Sequence, residues 1–175
     1  MSVLSTDLVF YLTGGASNTS AAASLGGQIS STAIVNNTLD NIFSDVTAVE
    51  AVTGYVDYRC IAVKNNNAST DLTAAAAFIA TNCPGADSWD IGIEVPTGTP
   101  ATTQVVANVT TAPTGITFSR PSTQSTGLTI AGNGDAEGTL GSGTWCGIWC
   151  RRTVPAEAAT YLSDGATITV GGSTT

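Results

Sequence analysis

The chain of 175 residues has 13 acidic and five basic side chains, a net charge of −8 and no histidine. Its length suits a single domain, and the missing histidine removes the usual general base near neutral pH and the commonest metal ligand. Five cations argue against a nucleic-acid partner, and no apolar run approaches the roughly 20 residues of a membrane helix, so no membrane partner is expected.

Four small residue types make up half of the chain: 29 Thr, 24 Ala, 19 Gly and 16 Ser. Thr and Val favour strands and Gly favours turns, while the alanines lie among Thr and Gly without a helical period. The composition therefore predicts an all-β protein. Only 10% of the residues are charged, which favours a surface covered by a partner. The alternative is a solvated Thr/Ser surface.

Residues 1–38 are predicted to form an extended N-terminal arm or edge strand, separate from a β-sandwich domain over residues 39–175. Residues 8–12 are a compact apolar strand candidate, followed by small residues and four glycines. Phe10, Tyr11 and Leu12 are the predicted anchors of this arm, because the run is too apolar to stay in water. A neighbouring subunit or the chain's own domain could hold it, and a frayed terminus is the alternative. The N-terminus lacks the pattern of an export signal.

Residues 39–54 have helical spacing for one or two turns and predict a short helix or packed loop that ends at Gly54. Residues 55–65 form the clearest strand, with Cys60 and Ala62 on one face and Ile61 and Val63 on the other. After a polar turn, residues 71–80 are predicted to form its partner.

The rest of the chain alternates short strand patterns with turn signals. Strands are predicted over residues 88–95, 102–110, 116–121, 127–132, 144–155 and 166–172, and a loop or turn of helix over 156–165. Eight to ten strands at this spacing predict a β-sandwich, immunoglobulin-like or jelly-roll-like, with an extended N-terminal arm.

Three residue sets are candidates for chemistry, and each has an ordinary structural explanation. Asp87 and Asp90 flank Trp89 as a glycosidase pair would, but 13 acids produce such pairs by chance. A loop places Asn133, Asp135 and Glu137 at alternate positions, where oxygen ligands could hold Ca²⁺, although a polar turn is favoured. Trp89, Trp145 and Trp149 could stack on sugars, although core or interface positions are favoured. No catalytic, cofactor-binding or metal-binding residue is predicted.

Cysteine and arginine positions complete the sequence-based predictions. Cys146 and Cys150 lie four residues apart in one strand, about 13 Å, which is too far for a disulfide. A bond between Cys60 and Cys83 stays open, but buried free thiols are favoured. The adjacent Arg151 and Arg152 must face opposite sides of their strand. One is expected to pair with an acid of a neighbouring subunit, and a solvated pair is the alternative.

Two segments resemble structural proteins of tailed-bacteriophage virions. The first, LDNIFSDVTAVEAVTGYVDYRCIAVKNNNAS, precedes a Thr-rich strand, and the second is GIWCRRTVPAEAATYLSDG. Together they cover residues 39–80 and 143–165, roughly 40% of the chain. The resemblance implies a virion component with an immunoglobulin-like or related β-sandwich, and it carries over no catalytic residues.

Composition and resemblance together favour a capsid decoration, or cement, protein made in the host cytoplasm and located in the virion. Its expected partners are the major capsid protein and further copies of itself, with a trimer favoured because decoration proteins of this kind often form trimers. An N-terminal strand that completes a neighbour's sheet would be the mechanism, with Arg151 and Arg152 as polar contacts. The alternatives are a tail, neck or fibre-adaptor protein of the virion, or a carbohydrate-binding module.

Overall fold

The computed structural model describes residues 2–159 and 164–174, and these residues form ten strands and one α-helix. The strands are β1 (Leu8–Thr13), β2 (Gly26–Ala33), β3 (Tyr55–Asn65), β4 (Leu72–Thr81), β5 (Ser88–Glu94), β6 (Thr102–Val105), β7 (Leu128–Thr129), β8 (Thr139–Leu140), β9 (Trp145–Val154) and β10 (Thr167–Thr174). The helix α1 is Ala48–Thr53, and short 3-10 turns lie at Ala21–Ala23 and Gln124–Thr126. The predicted all-β class is confirmed.

Two antiparallel sheets pack in a sandwich-like arrangement. The larger sheet has the order β5-β9-β3-β1-β2-β6, and the smaller has the order β10-β4-β7, with β8 also paired to β4. The main core lies between them and draws buried side chains from both sheets, including Ile61, Ala77, Ile79, Ile91 and Ile148. These residues alternate with outward-facing neighbours along their strands, as the sequence period predicts.

The centre of the large sheet is buried on both faces. β3 and β9 pair without interruption from Tyr55↔Val154 to Lys64↔Trp145. On the outer face, Cys60 and Trp149 form a second buried cluster, which the segment after β6 covers through Val106 and Phe118. Coverage on both sides explains why these two strands read as nearly continuous apolar runs.

The N-terminal segment contributes β1 and β2 to the large sheet. β1 lies between β2 and β3, and its register with β3 runs from Leu8↔Asn65 to Leu12↔Ile61. The apolar run of residues 8–12 therefore occupies an inner position of its own chain's sheet rather than an edge. The boundary at residue 38 stays a prediction.

Several predicted elements are shorter than expected. The strand predicted over 102–110 ends at Val105, because the Asn108 side chain accepts hydrogen bonds from Thr110 and Thr111 and forms a turn. The predicted strands 116–121 and 127–132 are reduced to a bridge at Ser119 and to β7. In the predicted loop over 156–165, residues 160–163 lie outside the described part of the chain.

Of the segment 39–54, in which a short helix is predicted, only Ala48–Thr53 is helical, as α1. A capping box fixes its start, because the Thr47 side chain accepts from the Glu50 amide while the Glu50 carboxylate accepts from the Thr47 amide. Gly54 ends it at a positive φ of 78°. The preceding residues 34–46 cross from β2 to the opposite end of β3 and place Ile42 and Phe43 in the main core.

Candidate functional site

The three predicted arm anchors lie within the fold. Leu12 is buried, and Phe10 is half-buried against the main core. The Tyr11 hydroxyl accepts a hydrogen bond from the Asn66 side chain near the surface. Because β1 is paired on both edges, this strand offers no free edge to a neighbour in this conformation.

Arg151 lies on the outer face of the large sheet, directly opposite Asp90 on β5. Its guanidinium donates to the Asp90 carboxylate at 2.8 Å, and Arg120 donates to the same carboxylate at 3.1 Å. The Phe118 ring lies 4.9 Å from the Arg151 guanidinium carbon. An acid of its own chain therefore faces Arg151, and the contact with a neighbouring subunit's acid stays a prediction.

Arg152 lies on the other face, inside the core. It donates to both Asp57 carboxylate oxygens, at 3.1 and 3.2 Å, and to the Ser44 carbonyl at 2.8 Å. Its guanidinium also lies 4.8 Å from the centre of the Phe43 ring. The side chain is 8% exposed and its acidic partner is Asp57 of its own chain, so the predicted solvated pair is not formed by Arg152.

A second arginine joins this buried group. Arg59 is 2% exposed and lies 3.7 Å from the Asp57 carboxylate. Its Nε is buried without a hydrogen bond to any described residue. Burial raises the pKa of Asp57, while the Arg152 and Arg59 charges act in the opposite direction. Burial likewise lowers the pKa of Arg59. The group thus combines two cations and one anion in the core.

The two acids considered as a catalytic pair face different environments. Asp90 is held by Arg120 and Arg151 on the outer face, whereas Asp87 lines a cleft that also contains Arg152. Burial raises the pKa of Asp87, and Arg152 partly opposes that shift. Because the two carboxylates point to opposite sides of the sheet, they do not flank one substrate position.

All three tryptophans are buried. Trp149 is fully enclosed, and its Nε1 donates to the Glu94 carboxylate at 2.6 Å. Trp89 packs edge-on against Phe43 at a centroid distance of 4.6 Å. Trp145 is 6% exposed. Since no tryptophan presents a free face, these residues do not form the exposed platform that sugar stacking needs.

The acidic loop of residues 133–137 is organised by its own hydrogen bonds. The Asp135 carboxylate accepts from the Gly141 amide at 2.8 Å and from the Thr144 hydroxyl at 2.6 Å. The Asn133 side chain donates to the Gly98 carbonyl instead of facing the same point. Within residues 2–159 and 164–174, no three His, Cys, Asp or Glu side chains gather as a metal-binding group.

All four cysteines are free, as favoured from the sequence. Cys60, Cys146 and Cys150 are buried and Cys83 is half-buried. Burial raises the pKa of Cys60, Cys83 and Cys146 to about 12 and raises that of Cys150 as well. These thiols are poor nucleophiles near neutral pH, because the thiolate is the reactive form.

One surface was missed by the sequence-based reasoning. Residues 35–52 expose four large apolar side chains, Val35, Leu39, Val49 and Val52, each at least 65% exposed. We call residues 35–52 the crossover surface. Leu39 and Ala51 border a cleft of about 800 Å³ whose walls include Phe43, Trp89 and Arg152. A sequence signal existed, because valines three residues apart in α1 share one helix face.

Comparison with protein-family models, with curated proteins and with solved structures finds no match for this chain. Among the described residues, no helix has both the length and the apolar character to cross a membrane. The functional proposal therefore rests on the residues themselves and on the surfaces they form.

Proposed function

We propose that the chain is a structural protein of a bacteriophage virion, a capsid decoration protein that binds and stabilises the head shell. The observation that carries this proposal is the crossover surface. It lies largely within residues 39–80, the longer of the two segments that resemble virion proteins, and it presents Leu39, Val49 and Val52 to solvent. The choice of this surface rests on four large apolar side chains that are exposed within one segment of 18 residues.

The proposed partner is the major capsid protein, and the proposed site of action is the virion, after synthesis in the host cytoplasm. β1 is already paired within its own chain, so we place the contact on the crossover surface rather than on a donated N-terminal strand. Its four exposed side chains carry no charge, which limits the desolvation penalty of docking. Many copies on one shell allow each contact to be modest.

No enzymatic activity is part of this proposal. The candidate acids point to opposite sides of the sheet, and the four thiols have raised pKa values. The arginines predicted as polar contacts hold aspartates of their own chain. The crossover surface offers adhesion through its exposed apolar side chains.

Binding to purified capsids that lack the protein tests the contact. Leu39→Ser combined with Val52→Ser is expected to reduce capsid binding at least roughly tenfold, since two exposed apolar side chains leave the interface. Val105→Ser is the matched control, because Val105 is 70% exposed on β6, outside the crossover surface. Equal binding by the double variant and the wild type would refute this contact surface.

Copy number in purified virions tests the location. A decoration protein is expected at hundreds of copies per particle on a stained gel, whereas a tail, neck or fibre-adaptor protein is expected at a few to dozens. A faint band would reassign the chain to the tail, and absence from the particle would refute the virion proposal. Binding to a glycan array would instead support a carbohydrate-binding module, against the burial of the tryptophans.

A further inference from the structure

The open edge of the smaller sheet distinguishes β10 from the other edge strands. β5 ends the large sheet on one side, but its outer edge exchanges backbone hydrogen bonds with Ser119 at Ile91. β6 ends it on the other side, has only four residues and is bridged at Thr97. β10 has eight residues, and among the described residues its backbone bonds only to β4 and to the Thr73 side chain.

The core-facing side chains of β10 are incompletely covered. Ile168 and Val170 pack against the main core but are only partly buried, whereas Ala77 and Ile79 on the neighbouring β4 are buried. The difference follows from position, because β4 has strands on both sides and β10 has a neighbour on one side only. A further strand beside β10 would cover this apolar strip.

We propose that a second copy of this chain supplies that strand, by antiparallel pairing of β10 with β10 about a two-fold axis. Charge favours a second copy. The chain carries a net charge of −8, yet residues 165–174 contain no charged side chain, so two copies can approach here with little repulsion. The nearest acid, Asp164, lies before the start of β10 at Thr167, so antiparallel pairing places the two Asp164 residues at opposite ends of the paired stretch.

The sequence of β10 is also self-complementary in one register. Two residues that pair across antiparallel strands point their side chains to the same face of the sheet. In a pair of identical strands, this condition holds only if the two-fold axis lies beside one residue, which then pairs with itself, and not midway between two consecutive residues. With the axis at Thr169, Ile168 faces Val170 of the other copy, and the two Thr169 residues face each other. Bulges flank the regular stretch of residues 168–171 and confine the pairing to it.

The product is one continuous smaller sheet in the order β7-β4-β10-β10-β4-β7, with both cores on the same side. Unprotected edges of this kind pair with other strands unless charge, proline or a covering segment prevents it, and β10 has neither charge nor proline. The proposed pairing depends on β10 alone, so it can hold whether or not the protein binds a capsid.

Sedimentation velocity over a range of concentrations tests the pairing on the full chain. The wild type is expected to form a dimer, and Thr169→Lys is expected to weaken it at least roughly tenfold, because two like charges then face each other at the axis. The matched control is Thr102→Lys on exposed β6, which is expected to leave the dimer intact. Circular dichroism establishes that both variants fold.

A crosslink provides a second measurement. Thr169→Cys is expected to form a disulfide between copies on mild oxidation, whereas Thr167→Cys, which lies outside the paired stretch, is not. A wild type that is monomeric at its highest attainable concentration, or that forms a trimer, would overturn the two-fold pairing. Equal dissociation constants for Thr169→Lys and Thr102→Lys would overturn it as well.

Discussion

Arg152 lies directly opposite Asp57 on the neighbouring strand, and two of its nitrogens bind both carboxylate oxygens inside the core. Its chain neighbour Arg151 makes the same kind of pair with Asp90 on the outer face, where the side chains are partly exposed. One Arg-Arg dipeptide therefore ties β9 to β3 on one side of the sheet and to β5 on the other.

Removal of the buried arginine is expected to destabilise the protein strongly. Arg152→Met leaves the Asp57 charge in the core with only Arg59 nearby, and breaking such a pair costs about 3–5 kcal/mol. Arg120→Met is the control, because its pair with Asp90 is partly exposed and is worth about 1 kcal/mol or less. Urea unfolding measures both. If the two variants lose the same free energy of unfolding, the buried pair is not the stronger tie.

The double variant Asp57→Asn with Arg152→Met separates charge from packing. It leaves the buried Arg59 without an anion, whereas in Arg152→Met alone Asp57 still pairs with Arg59, so the double variant is expected to be less stable than Arg152→Met. A double variant as stable as Arg152→Met would show that buried Arg59 does not depend on the Asp57 charge.

Substitutions at the predicted arm anchors are expected to change the free energy of unfolding according to how deeply each side chain is buried. Leu12→Ala removes a buried side chain from the inner strand β1 and is expected to cost about 2–5 kcal/mol of unfolding free energy. Tyr11→Phe removes only the near-surface hydrogen bond from Asn66 and is expected to cost about 1 kcal/mol or less. Thermal or urea unfolding measures the difference. If the Leu12→Ala protein is as stable as the wild type, residues 8–12 do not stabilise the fold, and the prediction of a detachable arm is favoured.

Alkaline pH is expected to destabilise the fold through Cys60. Burial raises its pKa from 9.0 to about 12, so the folded chain keeps a proton that the unfolded chain releases above about pH 9. The stabilisation is complete below pH 9 and is lost as pH rises toward 12, at about 1.4 kcal/mol per pH unit for one thiol. Cys60→Ala is expected to reduce the slope of unfolding free energy against pH by that amount. An unchanged slope would contradict a raised pKa for Cys60.

Tryptophan fluorescence is expected to report burial of all three indoles. Trp89, Trp145 and Trp149 are each at most 7% exposed, so acrylamide should quench them far less in the folded protein than after unfolding in urea. Soluble oligosaccharides should leave the emission unchanged. Quenching equal to that of a free tryptophan derivative, or a sugar-dependent shift, would favour the carbohydrate-binding alternative.

Periodicity predicted the strands that are regular over their whole length. β3 and β9 alternate between two apolar faces, and their bounds differ from the prediction by at most one residue. The stretch 102–110 is also rich in Thr and Val, but the Asn108 side chain accepts hydrogen bonds that turn the chain, and residue content cannot show this competing local bond. Sequence patterns describe the faces of an element better than its end.

The side-chain partners at the candidate site could not be predicted, because they depend on strand register. Alternation placed Arg151 and Arg152 on opposite faces, but it could not show that Asp90 and Asp57 would lie opposite them, because that depends on which strands pair and in which register. The inner position of β1 was missed for the same reason. Sequence distance gave no sign that residues 8–12 would lie beside residues 61–65.

The position of β9 in the large sheet has a consequence for how the molecule forms. It is the ninth strand in chain order, yet it lies between β5 and β3 near the centre of the sheet. After β3 is synthesised, about 80 further residues must be added before its longest neighbour, β9, begins. Until then Asp57 lacks its partner Arg152. Sheets built from strands far apart in sequence fold slowly, because a long loop must close, at a cost in chain entropy, before the stabilising contacts can form. We expect the nascent chain to remain without its central ladder until translation has passed residue 154.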